Sequence, residues 1–322
     1  MRCIGGRVAG MRDFRFSSNI FAVPSREAFV ARCRLAERLG YHTMFAADHI
    51  GAPAPFPCVV AAADATEHLR VGTLVLNVPF WNPALLAREV ATTDILTDGR
   101  FELGLGSGHK KVEFDDAGIP WEPFGARADR LADMILALEE FFVADDHDGP
   151  LGVRAPQPVQ TSGFHGAGPP LIVGGTGDRI LKIAAEHANI VALAGTYQVR
   201  GKAPGTFRLG TAAETDERIR FAREQAGGRV DAIEWNVLIQ AVVVTNNRRA
   251  TAEKLQTGAL RAGQQTTMTL DEMLETPFLL IGTVEQMAEQ LTKNRERYGF
   301  SYITVHNPYL ETFAPVIERL RS

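Results

Sequence analysis

Apolar runs rich in β-branched residues alternate with helix-length amphipathic stretches along the whole chain, the pattern of an α/β protein built on a parallel sheet. The runs predict eight strands, at Phe14–Phe21, Thr43–Ala46, Arg70–Leu76, Phe101–Gly106, Leu171–Gly174, Ile190–Ala194, Glu234–Val244 and Ser301–His306. Helices are predicted over Ser25–Leu39, Pro83–Leu96, Arg127–Phe142, Asp178–Glu186, Ala213–Gln225, Ala250–Ala262, Val284–Tyr298 and Phe313–Leu320. Ser25 and Asn82 stand as N-caps, Pro83 fits a first helical position, and Gly40 and Gly299 stand where helices stop. Eight strand–helix units favour closure into a (β/α)8, or TIM, barrel. Stretches near 145–170 and 196–211, rich in Gly, Pro and polar residues, read as loop insertions in one domain over 1–322, with 1–10 as an N-terminal extension.

Composition narrows the function classes. Of 322 residues, 45% are hydrophobic and 22% charged, which excludes a disordered chain. Lys plus Arg is 34 against 38 for Asp plus Glu, so neither nucleic acid nor an anionic membrane is an expected partner. The longest candidate span, Leu181–Ala194, is interrupted by Lys182, Glu186 and His187, and residues 1–10 hold no signal-peptide core. A cytoplasmic protein is expected, with Cys3, Cys33 and Cys58 as reduced thiols.

In a barrel of this kind, chemistry sits at the C-terminal strand ends. Gly174-Gly175-Thr176-Gly177 precedes a predicted helix, so it is either a phosphate cradle or a tight turn. Gly104-Leu-Gly-Ser-Gly108 fails the dinucleotide fingerprint, because its last glycine would fall at His109. Asp48-His49 pairs an acceptor with a titratable imidazole and is the main acid/base candidate, against the common case of a structural histidine. His109 and Glu113 stand either beside it as partners or as solvated loop residues. His42, His68, His147 and His187 read as structural. No metal spacing and no nucleophile elbow occur.

The segments Phe45-Ala-Ala-Asp-His-Ile50, Leu69–Asn77, Asn82-Pro83, Leu86–Val90, Asp98–Gly108, Arg127 with Arg130-Leu131, Pro170–Gly175 and Leu280–Val284 occur in the order found in luciferase-like monooxygenases. Over residues 11–320 the chain resembles that family, most nearly its actinobacterial deazaflavin-dependent branch. The resemblance implies a bacterial luciferase-like TIM barrel binding coenzyme F420 or, alternatively, FMN, a small organic substrate, and a homodimer. By position, Asp48 and Asn77 would contact the ring system, and Leu74-Val75 would form a bulge with a non-prolyl cis peptide. Gly106, Ser107 and Gly108 would flank the cofactor, while Gly174, Gly175, Thr176, Gly195 and Thr196 would hold its phosphate. His49 matches the active-site histidine of alcohol-oxidising relatives. His109-Lys110-Lys111 departs from the Trp-Asn or carboxylate of many relatives; the two lysines suit either solvent or an acidic tail. Gly51–Phe56 and Phe80-Trp81 are expected in the pocket wall, the latter equally as core. Three functions follow: an F420-dependent hydride transferase, an FMN-dependent monooxygenase, and a flavin-binding barrel without chemistry.

Overall fold

The computed structural model describes residues 11–143, 156–261 and 268–322, so the expected N-terminal extension, His147 and much of the first insertion lie outside the described residues. Eight parallel staves form the barrel: β1 (Arg15–Ile20), β2 (Thr43–Ala46), β3 (Arg70–Thr73) continued by β4 (Leu76–Asn77), β5 (Phe101–Gly106), β6 (Leu171–Gly174), β7 (Ile190–Leu193), β10 (Glu234–Ile239) and β13 (Phe300–His306). Pairing of Val71 with Phe101 and Gly72 with Glu102 closes the ring between β3 and β5. β8 (Thr196–Gln198) and β9 (Phe207–Leu209) make an antiparallel hairpin, whereas β11 (Ala241–Val244) and β12 (Leu279–Gly282) pair in parallel outside the ring. Around the barrel run α1 (Arg26–Arg38), α2 (Pro55–Asp64), α3 (Pro83–Leu96), α4 (Lys111–Ala117), α5 (Phe124–Val143), α6 (Asp178–His187), α7 (Ala212–Ala226), α8 (Arg248–Arg261), α9 (Leu270–Glu275), α10 (Val284–Tyr298) and α11 (Leu310–Arg321). No helix among the described residues is long and apolar enough to cross a membrane.

Helix starts follow local chemistry. Ser25 accepts from the Ala28 N–H and Asn82 from those of Ala84 and Leu85, while Thr211 with Glu214 and Thr283 with Gln286 form capping boxes. Gly299 ends α10 at φ +86°.

Several expectations need correction. The run Glu234–Val244 is two strands, because the Gln240 N–H turns to the Phe278 carbonyl and the chain leaves the barrel to pair with the unforeseen β12. Arg70–Leu76 is likewise broken, with a cis peptide at Leu74-Val75 as the resemblance implied. Helices α2, α4 and α9 were not foreseen. Phe56, expected in a pocket wall, is buried in α2 against Trp81 and Phe101.

At the N-terminal end the barrel is closed by a polar plug. Glu102 on β5 is fully buried and accepts from Arg15 on β1 and from Arg70 Nε on β3 at 2.7 Å, and the Tyr302 hydroxyl donates to it at 3.0 Å. Arg15 also reaches Glu234 on β10 at 2.7 Å and lies 4.1 Å over the Tyr302 ring. Burial alone would raise the Glu102 carboxyl, but the two guanidinium groups outweigh it and hold the group below its ordinary range. Its contribution to stability is therefore present above that range and lost as pH falls through the lowered folded value. Stripping the carboxylate takes the shared partner from two half-buried guanidinium groups and leaves the Tyr302 hydroxyl without its acceptor, so Glu102→Ala is expected to cost about 3 kcal/mol in urea unfolding, against less than about 1 kcal/mol for Glu311→Ala, which removes the exposed Arg32–Glu311 pair. Equal losses would show that the plug contributes no more than a surface pair.

Candidate active site

The C-terminal strand ends surround a cavity of about 1160 Å³. Asp48, His49, Leu74, Val75, Asn77, Gly106, Ser107, Gly108, His109, Glu113, Gly174, Gly175, Thr176 and Thr196 all line it. Gly195 does not: at φ +66° it packs on the Phe278 ring, where a β-carbon would lie 2.3 Å from ring carbon. Phe80 and Trp81 are also set back, Phe80 on Phe114 and Trp81 on Phe56. Phe21, Trp121, Phe124 and Phe207 supply the aromatic lining instead.

The floor is shaped by one side chain. Past β3 the chain steps aside at Leu74-Val75, and the Val75 methyls enter space left by three glycines. A β-carbon on Gly104, Gly106 or Gly174 would lie 3.2, 2.6 or 3.3 Å from them. Gly106 and Gly174 thus serve first to seat Val75.

His49 and Glu113 meet although 64 positions apart, with Nδ1 2.9 Å from Oε1 and 3.1 Å from Oε2. The partner of His49 is therefore Glu113 and not its neighbour Asp48. Helix α4 delivers this carboxylate: Phe114, clamped between Phe80 at 5.1 Å and Trp121 at 4.7 Å, turns Glu113 inward. Because a carboxylate only accepts, it fixes the imidazole proton on Nδ1 and leaves Nε2 as a bare acceptor. Lys110 Nζ lies 3.4 Å from Glu113, while Lys111 pairs with Asp115 on the surface. The His109 ring stands edge-on to His49 at 5.6 Å and to Phe207 at 5.4 Å. Enclosure by these walls, with the Lys110 cation nearby, lowers His109 to about 4, although the ring is open to the cavity, and keeps it neutral at pH 7.

Asp48 acts as a brace. Its Oδ2 accepts from Trp81 Nε1 at 2.8 Å and from the Asn77 N–H at 3.0 Å, tying the end of β2 to β4. Burial raises its carboxyl, with these two bonds opposing.

Arg127 went unnoticed as a site residue. It is buried on α5, donates to the carbonyls of Ser107 (3.2 Å), Gly108 and Glu122 (3.0 Å), and stacks 3.7 Å over Trp121. These contacts clamp the loop that carries His109, and desolvation pushes the guanidinium below its ordinary value. The signal was an arginine on the apolar stripe shared with Leu131, Ile135 and Leu138.

Across the mouth, Gly175-Thr176-Gly177 leads into α6: the Gly175 N–H is bonded to the Ala192 carbonyl at 3.1 Å, which leaves the Thr176 and Gly177 amides at the positive end of a ten-residue helix. A β-carbon on Gly175 would lie 2.5 Å from Ile180, so the tight turn needs glycine. Arg208 and Arg218 here are paired with Glu214 and with Asp178 and Glu217. Arg200 and Lys202, on the β8–β9 hairpin, line the mouth with no ion pair to a described residue. Among lining residues, Asn19 Oδ1, Asn77 Oδ1, Tyr197 Oη, Asn236 Oδ1 and His306 Nδ1 are buried without a partner. Among the described residues no group of three or more His, Cys, Asp and Glu could hold a metal ion.

Such a cavity, with a glycine-shaped floor, the Thr176 and Gly177 amides at one end and a cationic rim, has room and donors for a planar group bearing an anion. Over 145 residues, 42% of this chain and 40% of the other, the sequence is 32% identical to the oxygenase component of a flavin-dependent trigonelline monooxygenase of Acinetobacter baylyi. It is 29% identical over 181 residues, 49% of this chain and 54% of the other, to an F420-dependent glucose-6-phosphate dehydrogenase of Intrasporangium calvum. These matches span about half the length of the curated relatives or less. An F420-dependent secondary alcohol dehydrogenase, solved with an F420–acetone adduct, superposes with a TM-score of 0.71 at 15% identity, covering 97% of this chain and all of that one, which shows the shared fold. The model of one family, luciferase-like monooxygenase, matches residues 14–301, and to that family the chain belongs.

Proposed function

We propose that the chain is a hydride-transferring oxidoreductase that uses the deazaflavin coenzyme F420 and a small organic substrate, with His49 as its acid/base residue. The observation that carries this reading is the Glu113-anchored imidazole, whose Nε2 is left bare at the C-terminal strand ends. A bare Nε2 can take the proton of a substrate hydroxyl, and the adjacent carboxylate stabilises the imidazolium that results. In the reverse direction the same nitrogen returns that proton to a carbonyl oxygen. Neutral His109 sits beside it without adding a competing charge.

The residues present fit the cofactor. Val75 and the Asn77 amide would lie against the ring system, and the Thr176 and Gly177 amides would receive the phosphate, with Arg127 as a cation on the same cavity wall. When bound, a deazaflavin supplies a ring carbon that accepts or donates hydride and reacts little with oxygen. The unpaired Arg200 and Lys202 on the rim suit an acidic tail, which F420 carries and FMN lacks; this supports F420 over FMN. The second reading is an FMN-dependent monooxygenase. It is favoured by the aromatic enclosure from Trp121, Phe124 and Phe207, which would keep water from a reactive intermediate.

Titrating the purified protein with oxidised F420 and with FMN, followed by fluorescence, separates the two. Tighter F420 binding that weakens about tenfold in an Arg200→Glu, Lys202→Glu double variant is expected; preference for FMN, with oxygen consumed on turnover, would transfer the assignment to the second reading. In the preferred enzyme His49→Ala should lower kcat by about 10²-fold or more and Glu113→Gln by less, while both keep cofactor affinity. Unchanged turnover in His49→Ala would leave the barrel as a binding protein or move the acid/base role elsewhere.

A further inference from the structure

Helix α4 begins on a residue that local chemistry disfavours. Its N-cap is Lys110, whose side chain makes no capping bond and whose cation stands at the positive end of the helix, where Ser, Thr, Asp or Asn would serve better. The side chain turns to the site instead. It lines the cavity, and the i,i+3 spacing brings its Nζ within 3.4 Å of Glu113 Oε1, the same oxygen that lies 2.9 Å from His49 Nδ1. One oxygen of a buried carboxylate is thus shared between an ammonium and an imidazole. Lys111 shows the alternative, since it pairs with Asp115 on the surface outside the cavity lining. The other charged or titratable groups around the His49–His109 pair are engaged elsewhere or neutral. Asp48 holds Trp81 and Asn77, Arg127 holds main-chain carbonyls, and His109 carries no charge at pH 7. The β8–β9 hairpin meets His109 through uncharged Phe207, with Arg208 paired to Glu214 and with Arg200 and Lys202 at the mouth.

A cation on Glu113 has a definite consequence. While the imidazole is neutral, Glu113 and Lys110 cancel, so the buried carboxylate is not left uncompensated. Once His49 takes a proton the cluster carries a net positive charge, whereas Glu113 and His49 alone would then be neutral. Lys110 therefore opposes the imidazolium that Glu113 favours. We propose that Lys110 is a positioning residue that acts through Glu113: by holding part of the carboxylate's charge, it keeps His49 Nε2 bare until a substrate supplies the proton, and it makes the imidazolium a readier donor in the return step. The task of His49 rests on the oxidoreductase reading above; the coupling of Lys110 to the imidazole is read from the cluster alone.

The test follows the His49 ring by long-range 1H–15N NMR in the full chain labelled with 15N-histidine, its signals identified by their loss in His49→Ala. Removing the cation stabilises the imidazolium, so in Lys110→Met the pH at which the ring takes its proton should rise by about half a unit. His109, which also feels Lys110, should move in the same direction. Lys110→Arg should restore the wild-type midpoint, and Lys111→Met should leave it unchanged. Lys110→Asn separates charge from folding, because asparagine caps a helix better than lysine; it should titrate like Lys110→Met. In 1 M NaCl the difference between wild type and Lys110→Met should shrink. Wild-type midpoints in Lys110→Met and Lys110→Asn, or an equal shift in Lys111→Met, would overturn the proposal. A second arm supplies F420 and 2-propanol, and the acid limb of turnover should move up by the same interval as the NMR midpoint. A limb that stays in place while the midpoint moves overturns the role of Lys110 in the reaction. Absence of turnover in wild type and variants alike counts against the oxidoreductase reading, and the NMR arm then upholds or overturns the coupling by itself.

Discussion

The tight seam between β3 and β5 is the constraint on which the rest of this barrel depends. A β-carbon on Gly72 would lie 2.3 Å from the Glu102 carbonyl and one on Gly104 2.0 Å from that of Thr73, so the ring closes only where both positions lack a side chain. The approach brings Glu102 toward Arg15, Arg70 and Tyr302 at one end of the barrel. At the other end the chain turns away at Leu74-Val75 and lays Val75 across the floor of the cavity. Plug and floor are thus two results of one close contact.

Much of this architecture was legible in the sequence because strands buried on both faces read as uninterrupted apolar runs. Staves such as β6 and β7 were found for that reason, and the same property hid the breaks in longer runs. Glu234–Val244 looks like one strand because nothing in its composition reveals that Gln240 bonds to the Phe278 carbonyl and redirects the chain. Helix α2 escaped because its start lies in a proline-rich stretch and its body is mostly small apolar residues, with no polar face to mark a helical period.

The site was legible residue by residue and much less so as an arrangement. The histidine at the end of β2 was identified, but its carboxylate partner was first sought at the neighbouring Asp48, which turned out to hold Trp81 and Asn77. The true partner arrives on a short helix whose orientation depends on Phe114 and two aromatic neighbours, a tertiary relation that local spacing does not encode. Arg127 shows the converse. Its place on an apolar helical stripe was visible, whereas its bonds to the carbonyls of Ser107 and Gly108 exist only once α5 packs beside that loop.

The plug and the mouth lie at opposite ends of the same staves, and this separation has an evolutionary consequence. Glu102, Arg15 and Tyr302 spend their interactions on one another, whereas His109 stands on a loop whose path is set by main-chain bonds to Arg127 and not by the identity of its own side chain. The rim can therefore accumulate substitutions, and with them new substrates, while the free energy that keeps the barrel closed is left nearly untouched.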